Sequence, residues 1–196
     1  MIKIFLSIYF IFTLTLIHSS DFNCLESWYE TNQISEIRDD IINIKSSVLI
    51  NDSSIKDIEL FIDKALQKIR IDYDDNILIL EKDKSIKIFT NTNQLFIDQP
   101  DTNFQNIILS IFSDKYRYLF NDSIELPNNR YLIKNQLSFN QIELAYNDDC
   151  RKIKFIRLES DQFNIYIDNI KFSIVSNNNY FKIDYNYFQY DLRNEN

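Results

Sequence analysis

The stretch "QKIRIDYDDNILILEKDKSIKIF", residues 67–89, alternates apolar and polar side chains along most of its length. Successive side chains of an extended strand point to opposite faces, so a period of two commits a segment to a sheet with one apolar face. Ile69, Ile71 and Tyr73 fall on one face of the first run, Arg70 and Asp72 on the other, facing water. Asp74-Asp75 and "EKDK" interrupt the alternation, and Asp at such breaks makes turns. "IELFI", "KIRIDY", "NILIL" and "SIKIF" therefore read as an antiparallel meander. Later runs, "RYLIKN", "LSFNQIELAY", "KIKFIRLES", "FNIYIDNIKFSIV" and "YFKIDYNYF", return to the same pattern.

Two segments carry a helical period instead. Ser27 with Glu30 makes a capping box, and Ile34, Ile37, Ile41, Ile44 and Val48 follow at three- and four-residue spacing, which predicts a first amphipathic helix through Val48. A second helix is predicted over 104–112, striped by Phe104, Ile107, Ile108 and Ile111 and capped by Asp101 or Thr102. The fold class is thus α+β: one long, mostly antiparallel sheet carrying two helices. A sheet of this many strands curls and acquires a concave apolar face. The helices either fill that face as an ordinary core or close over a cavity for an apolar ligand.

Residues 1–20, "MIKIFLSIYFIFTLTLIHSS", have one early cation, Lys3, an apolar run and the small residues Ser19 and Ser20 before charge begins at Asp21. They read as a secretory signal peptide; the alternative is an uncleaved anchor, but the apolar run is short of the roughly 20 residues of a bilayer span. Residues 21–196 then form a single domain able to bury a core. In an oxidising compartment Cys24 and Cys150 can pair, or remain as two free thiols, since spacing alone does not bring their Cα atoms together.

Catalytic chemistry is scarce. The single histidine, His18, lies in the leader, which removes from the mature chain the commonest general base and metal ligand. With no glycine anywhere there is no phosphate-cradling loop and no nucleophile elbow. The carboxylate pairs Asp74-Asp75 and Asp148-Asp149 sit between strand-like runs and read as turns rather than as an acid/base dyad or cation site. No catalytic residue, metal site or cofactor is expected. Asp and Glu number 29 against 21 Lys and Arg, which argues against nucleic acid and anionic lipid headgroups as partners.

The ordered series of segments resembles the LolA family of periplasmic lipoprotein carriers. "IINIKSS", residues 41–47, is similar to the family's Leu-Asn-x-Ile-Lys-Thr segment, and "LFIDKALQKIRIDYDD", residues 60–75, to its Tyr-Ile-x-Lys-Pro-Gly-Lys-Ile-Arg-Ile-x-Tyr stretch. "EKDKSIKIF" resembles its Asn-Gly-Lys-x-Leu-x-Ile-Tyr hairpin, "NFQNIILSIF" stands at its second helix, and "IDNIKFSIVSNNNYFKID" resembles its closing strands. Ala65 and Leu66 stand near the family's Pro-Gly, and Asp83 stands at its hairpin glycine. Where the family has a lid-latching arginine this chain has Lys64, a point charge without the guanidinium fork.

The resemblance implies an incomplete, strongly curved antiparallel β-barrel with helices covering its mouth, as in LolA and LolB. It implies an apolar cavity for lipoprotein acyl chains, here lined by Ile69, Ile71, Tyr73, Ile86, Ile88, Phe104, Ile107, Ile108 and Ile111, with Lys64 as a lid contact. It also implies a monomeric, non-enzymatic protein of the periplasm that takes acylated lipoproteins from an inner-membrane lipoprotein-releasing transporter to an outer-membrane acceptor. The rivals are a secreted structural or interaction domain with a filled core, and an enzyme working through carboxylates or tyrosine.

Overall fold

The computed structural model describes residues 23–51, 55–112, 123–136, 139–176, 179–183 and 186–193; residues 1–20, expected to be a signal peptide, lie outside them. Helix α1 (Asn23–Thr31) comes first, followed by a 3-10 turn (Ile34–Glu36) and strands β1 (Ile41–Ile50), β2 (Lys56–Asp63), β3 (Lys68–Tyr73), β4 (Asn76–Leu80), β5 (Ser85–Phe89) and β6 (Gln94–Asp98). Helix α2 (Thr102–Phe112) separates these from β7 (Ile124–Leu126), β8 (Arg130–Gln136), β9 (Phe139–Tyr146), β10 (Ile153–Glu159), β11 (Asn164–Val175) and β12 (Phe188–Asp191). All twelve strands form one sheet in the order β12-β6-β5-β4-β3-β2-β1-β11-β10-β9-β8-β7. Every pairing is antiparallel except that of β12 with β6.

The sheet is curled but not closed, because β7 and β12 end it and do not pair with each other. Leu80 on β4 and Ile133 on β8 belong to the same buried cluster as Trp28 and Ile107 of the two helices. In a flat sheet those strands, seven steps apart in the order, would be separated by about 34 Å at roughly 4.8 Å per step. Helices about 10 Å across cannot bridge that gap unless the sheet wraps around them. Register shifts in the β1–β11 and β9–β10 ladders are bulges, which bend a strand and increase its twist. The architecture is the expected incomplete, curved barrel with two helices on its concave side.

The first helix differs from expectation. Ser27 lies inside α1 rather than at its N-cap, the helix ends at Thr31, and Gln33 in the left-handed region stops it. Residues expected to continue the helix, Ile41, Ile44 and Val48, are in β1. The four-residue step does not separate the two readings, since positions 44 and 48 share a face in a strand as well as in a helix, and the three-residue step from Ile41 to Ile44 is accommodated because residues 41–44 are buried on both faces of β1. β-Branched side chains and hydrogen-bonding partners on both sides, β2 and β11, decide for the strand. The second helix is as read: the Phe104 amide donates to Asp101 Oδ1 at 3.1 Å, and the Gln105 amide to the Asp101 carbonyl at 3.1 Å. The run "YFKIDYNYF" is not a continuous strand; its described residues 180–183 are turn and irregular backbone, and pairing begins only at Phe188.

Without glycine, left-handed backbone falls on other residues. Among the described ones it occurs at Asn51, Asn93, Asn128, Asn129, Asn169, Asn179 and Asp74, where short polar side chains tolerate it, and at Gln33, Gln67 and Cys150. Asp74-Asp75 and Asp148-Asp149 are turns, as read from the sequence.

Cys24 and Cys150 are bonded, their Cα atoms 4.6 Å apart, tying the start of α1 to the turn between β9 and β10 across 126 residues of chain. A loop of that length implies about 4–5 kcal/mol from chain entropy. We expect the Cys24→Ser, Cys150→Ser double variant to lose about 4 kcal/mol in chemical denaturation. A reductant should destabilise the parent to the same extent and leave the variant unchanged.

Candidate functional site

The concave face is built from rows of side chains that run across the ladders. Antiparallel partners share a face, so the register places Phe172, Ile44, Leu60, Ile71 and Leu78 in one inner row, and Ile42, Ile62, Ile69 and Leu80 in the next. Tyr131, Ile133, Ile142, Leu144 and Tyr146 continue this apolar wall on β8 and β9. Into the wall α1 presses Leu25, Trp28 and Tyr29, and α2 presses Ile107, Ile108, Leu109, Ile111 and Phe112. Trp28 is the hub: its ring meets Phe112 of α2 edge-on at 5.9 Å and Phe172 of the wall at 5.6 Å between centroids.

Of the expected lining residues, Ile69, Ile71, Ile107, Ile108 and Ile111 are buried in this cluster, and Tyr73 and Phe104 pack against it half-buried. Ile86 and Ile88 do not belong there. They pair with Ile79 and Ile77 of β4, which lie on the opposite face from Leu78 and Leu80. With Ile79, Leu95 and Ile97 they form a second cluster on the outer face, packed against Phe181, Ile183 and Tyr187. β4, "NILIL", is apolar on both faces, so its sequence does not say which face continues the core. Arg70 and Asp72 share this outer side and form an ion pair at 2.6 Å, but it is not simply solvated: Arg70 Nη1 also donates to the Tyr180 carbonyl, and Tyr180 stacks on Phe61 at 4.5 Å.

The two helices are fastened differently. α1 is held at its start by the disulfide, and just past its end Lys64 Nζ donates to the Ile34 carbonyl at 2.5 Å. Lys64, expected at the lid, therefore grips the turn after α1. For α2 the side-chain ties include the Tyr29 hydroxyl, directed at the carbonyls of Ser110 (3.0 Å) and Ile111 (3.1 Å), and Gln105 Nε2, which donates to the Gln67 carbonyl at 2.5 Å. One hydroxyl proton serves two carbonyls, so this is a single shared bond, worth about 1 kcal/mol net.

Sequence reading missed Trp28, Tyr29, Tyr146 and Gln105. For the first two the signal was present, since Leu25, Trp28 and Tyr29 recur at helical spacing inside "NCLESWYET". For Tyr146 and Gln105 no local pattern exists. Burial holds the Tyr146 hydroxyl well above the ordinary phenol range, and burial likewise raises Tyr131. Among the described residues no group of three or more His, Cys, Asp or Glu is placed to hold a metal ion. One groove on the outer surface, of about 430 Å³, is lined by Lys45, Asp57, Glu59, Asp72 and Lys171 among others, whereas another, of about 330 Å³, is lined by Ile86, Leu95, Ile97, Phe181 and Tyr187 among others.

No family model and no curated protein matches the chain. Among solved structures it is similar to an uncharacterized conserved protein from Thermus thermophilus, at 8% identity and a TM-score of 0.48, over 88% of this chain and 99% of that one. A LolA superfamily protein from Nitrosomonas europaea is similar at 7% identity and TM-score 0.36, over 80% of this chain and 93% of that one. A DUF1329 family protein from Desulfovibrio piger follows at 8% and 0.36, over 77% and 92%.

Two outcomes follow from the fastening of α2. Tyr29→Phe should raise amide hydrogen exchange across residues 102–112 by up to about tenfold, matching about 1 kcal/mol of local stability, while β1–β3 exchange as before. Alkali should act through Tyr146: its pKa is raised in the folded protein, so above about pH 10 the unfolded chain loses this proton first and stability falls as pH rises. Tyr146→Phe removes that contribution, and denaturation midpoints should decline less steeply between about pH 9 and 11 in the variant.

Proposed function

We propose that this chain is a carrier for acylated cargo, taking up lipoprotein acyl chains between the concave wall and α2. The observation that carries this reading is the unequal fastening of the helices: α1 is clamped by a disulfide and by Lys64, whereas the described residues of α2 are tied by hydrogen bonds, those of Tyr29 and Gln105 among them, and by apolar contacts. Energetics support α2 as the moving part. Uncovering Ile107, Ile108, Leu109, Ile111 and Phe112 of α2 costs on the order of 10 kcal/mol at about 2 kcal/mol per side chain. One long acyl chain gains on the order of 10 kcal/mol by leaving water. An exchange so nearly balanced lets cargo enter without being trapped. Apolar contact is non-directional, which suits chains that must be admitted and released in any register.

The same reading places the protein in the periplasm after export by residues 1–20, with Cys24–Cys150 suited to an oxidising compartment. It makes an inner-membrane lipoprotein-releasing transporter the donor and an outer-membrane acceptor the recipient, and it makes the chain a non-enzymatic binding protein. The competing reading, a secreted interaction domain with a permanent core, is favoured by the close burial of Trp28, Ile107 and Leu109 in the empty chain. Hydrogen exchange with and without a dipalmitoyl lipopeptide separates the two. The carrier reading expects residues 102–112 to lose protection when lipopeptide binds, while 41–49 stay protected. Core-like protection of 102–112, unchanged by saturating lipopeptide, would establish the filled-core domain instead.

A further inference from the structure

Tyr146, the last residue of β9, has a hydroxyl sealed in the core without a hydrogen-bond partner. A buried donor left unpaired costs stability, and phenylalanine would fill the same volume without that cost. Its surroundings locate what the hydroxyl is for. The Tyr146 ring meets Tyr131 edge-on at 5.9 Å, and Tyr29 lies within electrostatic range of it. The Tyr131 oxygen is already met by the Cys24 backbone amide. Tyr29 is the residue that fastens α2, through the Ser110 and Ile111 carbonyls. Tyr146 thus sits beside the fastening of α2, where its hydroxyl becomes available if α2 moves. A neutral donor in an apolar wall suits a neutral acceptor; a carboxylate or phosphate would need a cation to offset its desolvation. Among the described residues, the buried polar and charged side chains are Asn43, Ser46, Asp63, Ser85, Gln105, Ser110 and Glu143, with no Lys or Arg.

We propose that Tyr146 is a binding site, opened when α2 is displaced, for the carbonyl oxygen that links an acyl chain to its cargo, as an ester or an amide. Apolar surface measures only chain length; this hydroxyl would read the polar end and set how deep the chain is seated. The site rests on the carrier reading and adds to it a point of chemical recognition.

The test uses the purified chain and its Tyr146→Phe variant, titrated with a dipalmitoyl ester lipopeptide, its dialkyl ether analogue and an N-palmitoyl peptide. The parent should bind the ester about tenfold more tightly than the ether, the worth of one buried hydrogen bond. Tyr146→Phe should close that gap to within about twofold by weakening the ester alone. A matching loss for the N-palmitoyl peptide assigns the amide carbonyl as well, and no loss there assigns the ester only. An ester-to-ether ratio unchanged by the substitution overturns the site while leaving the carrier reading intact. Failure of the parent to bind any of the three overturns the carrier reading and the site together. The empty variant should melt no lower than the parent; a lowered midpoint would show that the hydroxyl already has a partner, such as a bound water, and would also overturn the proposal.

Discussion

Trp28 touches Phe112 of α2 and Phe172 of β11, and through them it holds two helices and the central wall in one apolar cluster. Removing that side chain from water is worth about 2–3 kcal/mol, and the neighbours that depend on it multiply the effect. The curl of the sheet follows from the same contact. Strands at opposite ends of the wall touch the same two helices only if the sheet bends around them, and the bulges in β10 and β11 supply the bend.

A sheet with so much apolar surface needs cover on both sides. Inside, the helices supply it. Outside, over β4–β6, it comes from the C-terminal part of the chain, whose Phe181, Ile183 and Tyr187 pack on Ile79, Ile86, Ile88, Leu95 and Ile97. β12 then adds to the edge of β6, and Phe96 stacks on Tyr190 at 4.9 Å. At the end of this strand the Arg193 guanidinium hydrogen-bonds the Asp191 carboxylate and holds its pKa down at about 2. The inner cover is fastened unevenly, with α1 disulfide-bonded and α2 hydrogen-bonded.

The turns show how a chain without glycine makes tight connections. Asn and Asp take most of the left-handed positions because their short side chains reach nearby backbone groups. Gln67 also takes one, directly before β3, and its carbonyl is the acceptor for Gln105 of α2. A turn that glycine would normally make thus doubles as an anchor for α2.

Period and punctuation were legible in the sequence. The strands "KIRIDY", "NILIL" and "SIKIF", the turns at Asp74-Asp75 and Asp148-Asp149, and the Asp101-capped helix α2 all follow from side-chain alternation, helical spacing and local hydrogen bonding, which act within a few residues. Tertiary structure decided what lies beyond that range. β1 reads as helix until β2 and β11 flank it, because positions 44 and 48 share a face in either conformation. Ile86 and Ile88 read as inner wall until register through the doubly apolar β4 turns them outward. The pairing of Cys24 with Cys150 and the isolation of the Tyr146 hydroxyl depend on which distant segments meet. Those meetings are set by the curl of the whole sheet, a sum over twelve strands that no single stretch of sequence carries.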